Sequence, residues 1–219
     1  MSEQVTPPTT RWAAAGERNA GYGEKFAALV AEGADVDGEA RLADVLVGRG
    51  ARILDVGSGM GRVSSALAAR GHDVLAVEPD PPLVAQSRAT YPDLSVVEAD
   101  AVMLTPERLA AGGHPTSYDL VVCVGNVMIL LAEGTERQVL TRLATLLAPG
   151  GRILVGFHVA GGGPDFARHY SPAEFTADVE ASGLQVDLHA GSYELHPPTD
   201  EYAVWVLSAP GRPAQRDQG

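Results

Sequence analysis

Cysteine is nearly missing from this chain. Cys123 is the only one among 219 residues, so no internal disulfide can form and no Cys-rich zinc site exists. The six histidines are scattered, with no H-x-x-x-H pair on an expected helix, and no metal site is expected. Basic residues are scarce as well: 16 Lys and Arg stand against 28 Asp and Glu, for a formal charge of −12. Such a chain has no general affinity for phosphate backbones or anionic lipid, which sets nucleic acid and membranes aside as expected partners. The longest apolar run, LVVCVGNVMILLA over 120–132, contains Gly125 and Asn126 and is too short to cross a bilayer. The opening MSEQVTPPTTRW lacks a basic stretch followed by an apolar core, so no signal peptide is expected and the expected setting is the cytoplasm.

What is present suffices for a core, since 45% of the residues are apolar. Residues 1 to about 10 are polar and expected to be mobile. Residues 11–47 show helical spacing at Phe26, Leu29 and Val30 and again at Leu42, Val45 and Leu46, an N-terminal helical extension suited to a lid. From 48 to 209 short apolar runs alternate with helical patterns. RILDV, DVLAVE, LSVVEA, YDLVVCVG and RILVGF read as buried strands, the last entered through the turn APGG. Asp80 before Pro81 is expected to cap a helix, Thr105-Pro106 to start one, and Thr135 with Gln138 and Ser171 with Glu174 to form capping boxes. LQVDLHAG and YAVWVLSA follow with no helix between them and are expected to pair antiparallel. The tail 210–219 is expected to be disordered. The expected fold class is therefore α/β: a doubly wound, seven-stranded, mostly parallel sheet with a C-terminal antiparallel hairpin and helices on both faces. Ligands of such sheets bind outside the C-terminal strand ends.

At the first of those ends the chain reads DVGSGMGR. Gly57, Gly59 and Gly61 form G-x-G-x-G, a turn that lets backbone N–H groups approach a ligand. A dinucleotide fingerprint needs a glycine where Arg62 stands, and no G-K-[ST] follows, which excludes a P-loop. The pattern Asp55-x-Gly57-x-Gly59-x-Gly61, with Glu78 ending the next strand and the final hairpin, resembles the class I S-adenosylmethionine-dependent methyltransferases over roughly residues 40–208. The resemblance implies that Gly57 and Gly59 line the methionine part of the cofactor and that Gly61 admits the helix start. It implies Glu78, followed by Pro79, as acceptor for the two ribose hydroxyls, a cis-diol a carboxylate holds bidentately. It implies Asp100 with Ala101 near the adenine, and Val124 and Gly125 near the methionine amine and the reacting methyl. Asp55 either orients the cofactor's amino group or caps the turn as a buried carboxylate. Arg11 or Arg41 is expected to pair with the cofactor's carboxylate.

Methyl transfer from a sulfonium is an in-line displacement in which the protein aligns and desolvates. An amine attacks unaided, whereas a hydroxyl must lose its proton. His158, just past the fifth strand, is the expected general base, with Asn126 either orienting the acceptor or capping a turn. Tyr170 and His169 are placed at the pocket entrance, with AGGGPD (160–165) as a flexible loop beside it and Trp12 and Tyr22 in the lid. The chain lacks N-P-P-[YF] after the fourth strand, a carboxylate run for a divalent cation, and a long extra domain. A small-molecule acceptor and a monomer or homodimer follow. The alternatives are a non-catalytic S-adenosylmethionine-binding protein or partner subunit, and a nicotinamide-dependent oxidoreductase, against which Arg62 and the hairpin count.

Overall fold

The structure is a computed structural model that describes residues 6–159 and 162–211. Three helices precede the sheet: α1 (Arg11–Ala15), α2 (Tyr22–Ala31) and α3 (Gly38–Val45), with a 3-10 turn over Gly16–Asn19. Strands β1 (Arg52–Val56), β2 (Asp73–Glu78), β3 (Ser95–Glu98), β4 (Tyr118–Cys123) and β5 (Leu147–His158) then alternate with helices. These are α4 (Arg62–Ala69), α5 (Pro81–Thr90), α6 (Pro106–Ala111), α7 (Val127–Leu130) and α8 (Glu136–Thr145). Helix α9 (Pro172–Ala181) leads into β6 (Gln185–Ala190) and β7 (Tyr202–Ser208). The strand order is β3-β2-β1-β4-β5-β7-β6. The first five strands pair parallel, while β7 runs antiparallel to both β5 and β6.

The near-continuous apolar strands have their reason in this layering. Successive residues point to opposite faces, and both faces are covered. Ile53, Leu120, Val122 and Leu154 pack with Ala40, Leu42, Val63 and Leu67 of α3 and α4. Leu54, Val121, Cys123, Ile153 and Val155 pack on the other face with Val139, Leu140 and Leu143 of α8 and Phe175 and Val179 of α9. Cys123 is buried among them and serves packing. The order of connection reverses between β1 and β4, which opens a crevice beyond their C-terminal ends.

Several local expectations need correction. Thr135 sits in a helical conformation at φ −95°, so its hydroxyl turns back and donates to the Ala132 carbonyl at 2.7 Å; no capping box forms with Gln138. The box at Ser171 and Glu174 does form. Asp80 occupies the N-cap position of α5 without capping it, because its Oδ2 accepts the Trp12 indole N–H at 2.6 Å. APGG lies inside β5, whose first residue Leu147 already pairs with Tyr118 across a register shift. Thr10 is buried and caps α1, accepting the Ala13 N–H at 3.0 Å. Tyr170 is buried away from any entrance, stacked on Phe157 with its hydroxyl donating to Asp178 at 2.7 Å. Residues 1–5 and 212–219, with most of the expected mobile ends, lie outside the described residues, as do 160 and 161 of the glycine loop.

Candidate active site

The glycine turn leaves β1 with Gly57, Gly59 and Gly61 all in the left-handed region, at φ 72°, 58° and 88°. A side chain at Gly57 would run into Val127, and one at Gly61 would come within 2.5 Å of Ser87 Oγ and 2.9 Å of Leu94. Gly61 is therefore the point at which the start of α4 packs on α5. Gly59 is open, with only the Tyr22 ring 3.9 Å from where a Cβ would stand. The expected free N–H groups are largely taken: Gly57 and Ser58 both donate to the Val77 carbonyl, at 2.8 and 3.1 Å. The turn thus offers bare Cα surface more than donors.

Glu78 completes the turn from β2. Its Oε2 accepts the Gly59 N–H at 2.8 Å and its Oε1 accepts the Asp80 N–H at 2.9 Å. Burial pushes this carboxyl up to about 7, against the pull of those two donors. Asp55, at the end of β1, is fully enclosed and accepts the Ser64 hydroxyl at 2.5 Å; burial pushes it up to about 6. Asp100 caps the short turn over Ala101–Met103, accepting the Val102 N–H at 2.9 Å, and burial raises it as well.

These groups line one cleft that opens to solvent, with about 940 Å³ of non-atom space when the open solvent at its mouth is counted. Asp55, Gly57, Gly59, Glu78, Pro79, Asp100, Ala101, Val124 and Gly125 all face it, as do Val127, Leu130 and Leu131. The N-terminal extension roofs it. Trp12 packs edge-on against Tyr22 at 5.1 Å, and Tyr22 against Phe26 at 5.0 Å.

A sequence profile described as a methyltransferase domain matches residues 53–151. A ubiquinone biosynthesis O-methyltransferase of Xanthomonas euvesicatoria pv. vesicatoria is 30% identical over 197 residues, covering 75% of this chain and 80% of that protein. A TehB-like S-adenosylmethionine-dependent methyltransferase of Corynebacterium glutamicum has a solved structure that superposes with a TM-score of 0.75. It is 33% identical and covers 86% of this chain and 96% of its own. This chain belongs to the class I S-adenosylmethionine-dependent methyltransferases. A glycopeptide N-methyltransferase solved with S-adenosyl-L-methionine shares the fold at 15% identity, with a TM-score of 0.63 and coverage of 80% and 88%. The chain is an enzyme that uses S-adenosylmethionine for small-molecule methylation, and the non-catalytic alternative is not favoured.

The cleft of this methyltransferase fits its cofactor on its own chemistry. The Ser58 hydroxyl is buried among the lining residues and finds no partner among the described residues, so a polar ligand atom is wanted there. The open face at Gly59, the acidic Glu78 and the apolar wall at Leu83, Leu130 and Leu131 suit a polar chain, a diol and a flat base in turn.

Neither expected cofactor-carboxylate partner reaches the cleft. Arg11 is held by Glu136 and the Leu131 carbonyl, and Arg41 by Asp35 and Glu194. The lining cation is Arg62, gripped by both oxygens of Glu39 at 2.6 and 3.0 Å and by the Val36 carbonyl. In the sequence Arg62 serves only to exclude a dinucleotide site. Its place one residue after the last glycine, on the first turn of α4, was the signal for it.

His158 and Asn126 meet each other, but neither is among the residues that line the cleft, although Gly125 and Val127 on either side of Asn126 are. Asn126 has φ 79°, and its Oδ1 lies 3.0 Å from both the main-chain N and Nδ1 of His158. A main-chain N–H can only donate, so the atom it faces is the amide oxygen, and Nδ1 must carry its own hydrogen to face it too. The ring is therefore the Nδ1–H tautomer, with a lone pair on Nε2. Burial lowers the His158 pKa, opposed by Glu201, which favours the neutral ring. Asn126 thus orients the histidine through its oxygen, a role the sequence reading did not include.

Proposed function

We propose that this enzyme methylates a hydroxyl of a small molecule, with His158 as general base. The tautomer set by Asn126 carries this reading: Nε2 is left as a proton acceptor beside the end of β4. The name of the Xanthomonas relative, an O-methyltransferase, supports a hydroxyl acceptor. Gly57, Gly59, Asp55, Val124 and Gly125 hold the methionine part, Glu78 with Pro79 the ribose, and Asp100 with Ala101 the adenine; Gly61 allows α4 to start beneath them. Bound S-adenosylmethionine supplies an electrophilic methyl on a sulfonium that leaves as a thioether. His158 takes the acceptor's proton at Nε2 as its oxygen attacks, and the Asn126 oxygen holds the resulting imidazolium through Nδ1. A base so placed contributes about 10²–10⁴-fold. Trp12, Tyr22 and Phe26 exclude water from above. The acidic composition supports a reading without nucleic-acid partners, and no helix among the described residues is long and apolar enough to cross a membrane.

The base is tested by His158→Ala, which is expected to slow transfer to a hydroxyl acceptor and leave S-adenosylhomocysteine binding unchanged; the cofactor side is tested by a thermal shift with S-adenosylhomocysteine, with NADH in a parallel sample. Ligand at 100 times its Kd stabilises by about 2.7 kcal/mol, a rise of about 5–10 °C for a chain of this size. A rise with S-adenosylhomocysteine alone is expected. A rise with NADH alone overturns the cofactor assignment.

A further inference from the structure

Glu136, the first residue of α8, lies outside the cleft, yet its side chain is only 3% exposed and takes two arginines from distant segments. Arg11, from the roof, reaches its Oε1 at 3.1 Å, and Arg168, beyond the loop after β5, reaches the same oxygen at 2.9 Å. The same two residues also hold the C-terminal end of α7. The Arg168 N–H donates to the Ile129 carbonyl at 2.9 Å, while the Arg11 guanidinium donates to the Leu131 carbonyl at 2.9 Å. Leu130 and Leu131, between those carbonyls, line the cleft. The Arg168 guanidinium also lies 3.8 Å over the Tyr170 ring, which fixes its far side.

A second, exposed link joins the same two segments. Arg18, on the 3-10 turn of the roof, pairs with Asp165 at 3.3 Å and covers the Phe166 ring at 4.9 Å. The loop so held packs on His158, since a Cβ at Gly162 would come within 2.7 Å of that ring. An exposed pair of this kind is weak alone. A carboxylate shut away from water is different: the two guanidiniums keep some contact with solvent, but Glu136 does not, so losing either one leaves a buried charge short of a partner.

We propose that Glu136 is a positioning residue that joins the roof (10–26) to the loop (162–170), so that filling the cofactor cleft also orders the acceptor side. The proposal rests on the cofactor and base assignments above. Coupling of this kind is reciprocal: the factor by which cofactor binding favours the ordered loop is the factor by which an ordered loop tightens cofactor binding.

Amide hydrogen exchange with S-adenosylhomocysteine as the probe tests it. In the wild type the ligand slows exchange in both segments, about fivefold or more in 162–170. In Glu136→Gln the slowing persists in 10–26 and is lost in 162–170. Arg168→Met leaves the Glu136–Arg11 pair in place and gives the same loss, so the test survives if the first variant does not fold. Arg168→Lys restores part of the response. Protection confined to the roof in the wild type overturns the coupling and leaves the cofactor assignment standing. Unchanged loop protection in both variants overturns the role of Glu136. Protection of neither segment, with no binding, overturns the cofactor assignment and this inference with it.

Discussion

The Glu78 carboxylate accepts the Gly59 N–H at 2.8 Å, so the acidic end of β2 holds the open glycine of the turn after β1. One side chain thereby shapes the turn and presents an acceptor to whatever fills it. Ribose hydroxyls must share oxygens that already receive two backbone donors. They can do so only while the group is ionised, since a protonated carboxyl has a donor of its own in the way.

Cofactor affinity is therefore expected to depend on pH through Glu78. Its carboxyl sits near 7 instead of its ordinary 4.5. Binding favours the ionised form, so the Kd for S-adenosylhomocysteine falls about tenfold between roughly pH 6 and 8 and levels above. The ligand-free protein shows the opposite trend. A raised carboxyl pKa favours the fold in acid, so that stabilisation is full below about 4.5 and lost as pH rises through about 7. Calorimetry of binding in two buffers and melts across the same range measure both; a Kd flat with pH removes Glu78 from the diol. Glu78→Ala is expected to weaken binding about 100-fold or more with the fold intact, from two lost charge-assisted bonds.

His158→Ala is expected to slow O-methylation about 10²–10⁴-fold while the Kd for S-adenosylhomocysteine stays the same. Activity of the wild type falls in acid as His158 protonates, and burial holds that limb below the ordinary 6.5. Asn126→Asp puts a carboxylate on Nδ1, stabilises the imidazolium and moves the acid limb of kcat/KM upward. An unmoved limb, or undiminished turnover without the histidine, points instead to an acceptor such as an amine that needs no base.

Gly61→Ala is expected to destabilise by about 3 kcal/mol, from a left-handed backbone at a non-glycine residue together with overpacking. The contact at Ser87 and Leu94 is the cause. Gly59→Ala costs only about 1 kcal/mol in the fold, because nothing crowds it. Its methyl faces Tyr22 across the cleft, so cofactor binding suffers instead. Urea unfolding beside a binding titration separates the two glycines.

Trp12 is one of two tryptophans, and Trp205 is fully buried in the core, so fluorescence that responds to ligand reports the roof. Its indole N–H donates to Asp80 at 2.6 Å. Trp12→Phe removes that charge-assisted bond and is expected to weaken S-adenosylhomocysteine binding roughly tenfold. The ligand-induced fluorescence change should vanish with it. Equal affinity in the variant shows that the roof does not contribute to cofactor binding.

The layered sheet, the closing hairpin, the glycine turn and the acidic residues at the ends of β1 to β3 are legible in the chain. Those features are local: apolar runs, helix stops and left-handed glycines act within a few residues, and burial on both faces writes itself into every strand. Which side chains meet at the site is not legible there, because it depends on how the elements pack. Thr135 looked like a cap and Asp80 like another, but the Ala132 carbonyl and the Trp12 indole offered better partners than the helix ends did. Arg62 was claimed by Glu39, Arg11 and Arg168 by Glu136, and the Asn126 oxygen by His158. The Thr135 bond is local, reaching back three residues, whereas the others join segments far apart in the chain that only the assembled fold brings together. A buried charge takes the nearest group that satisfies it in space, and nothing in the local pattern states which group that is.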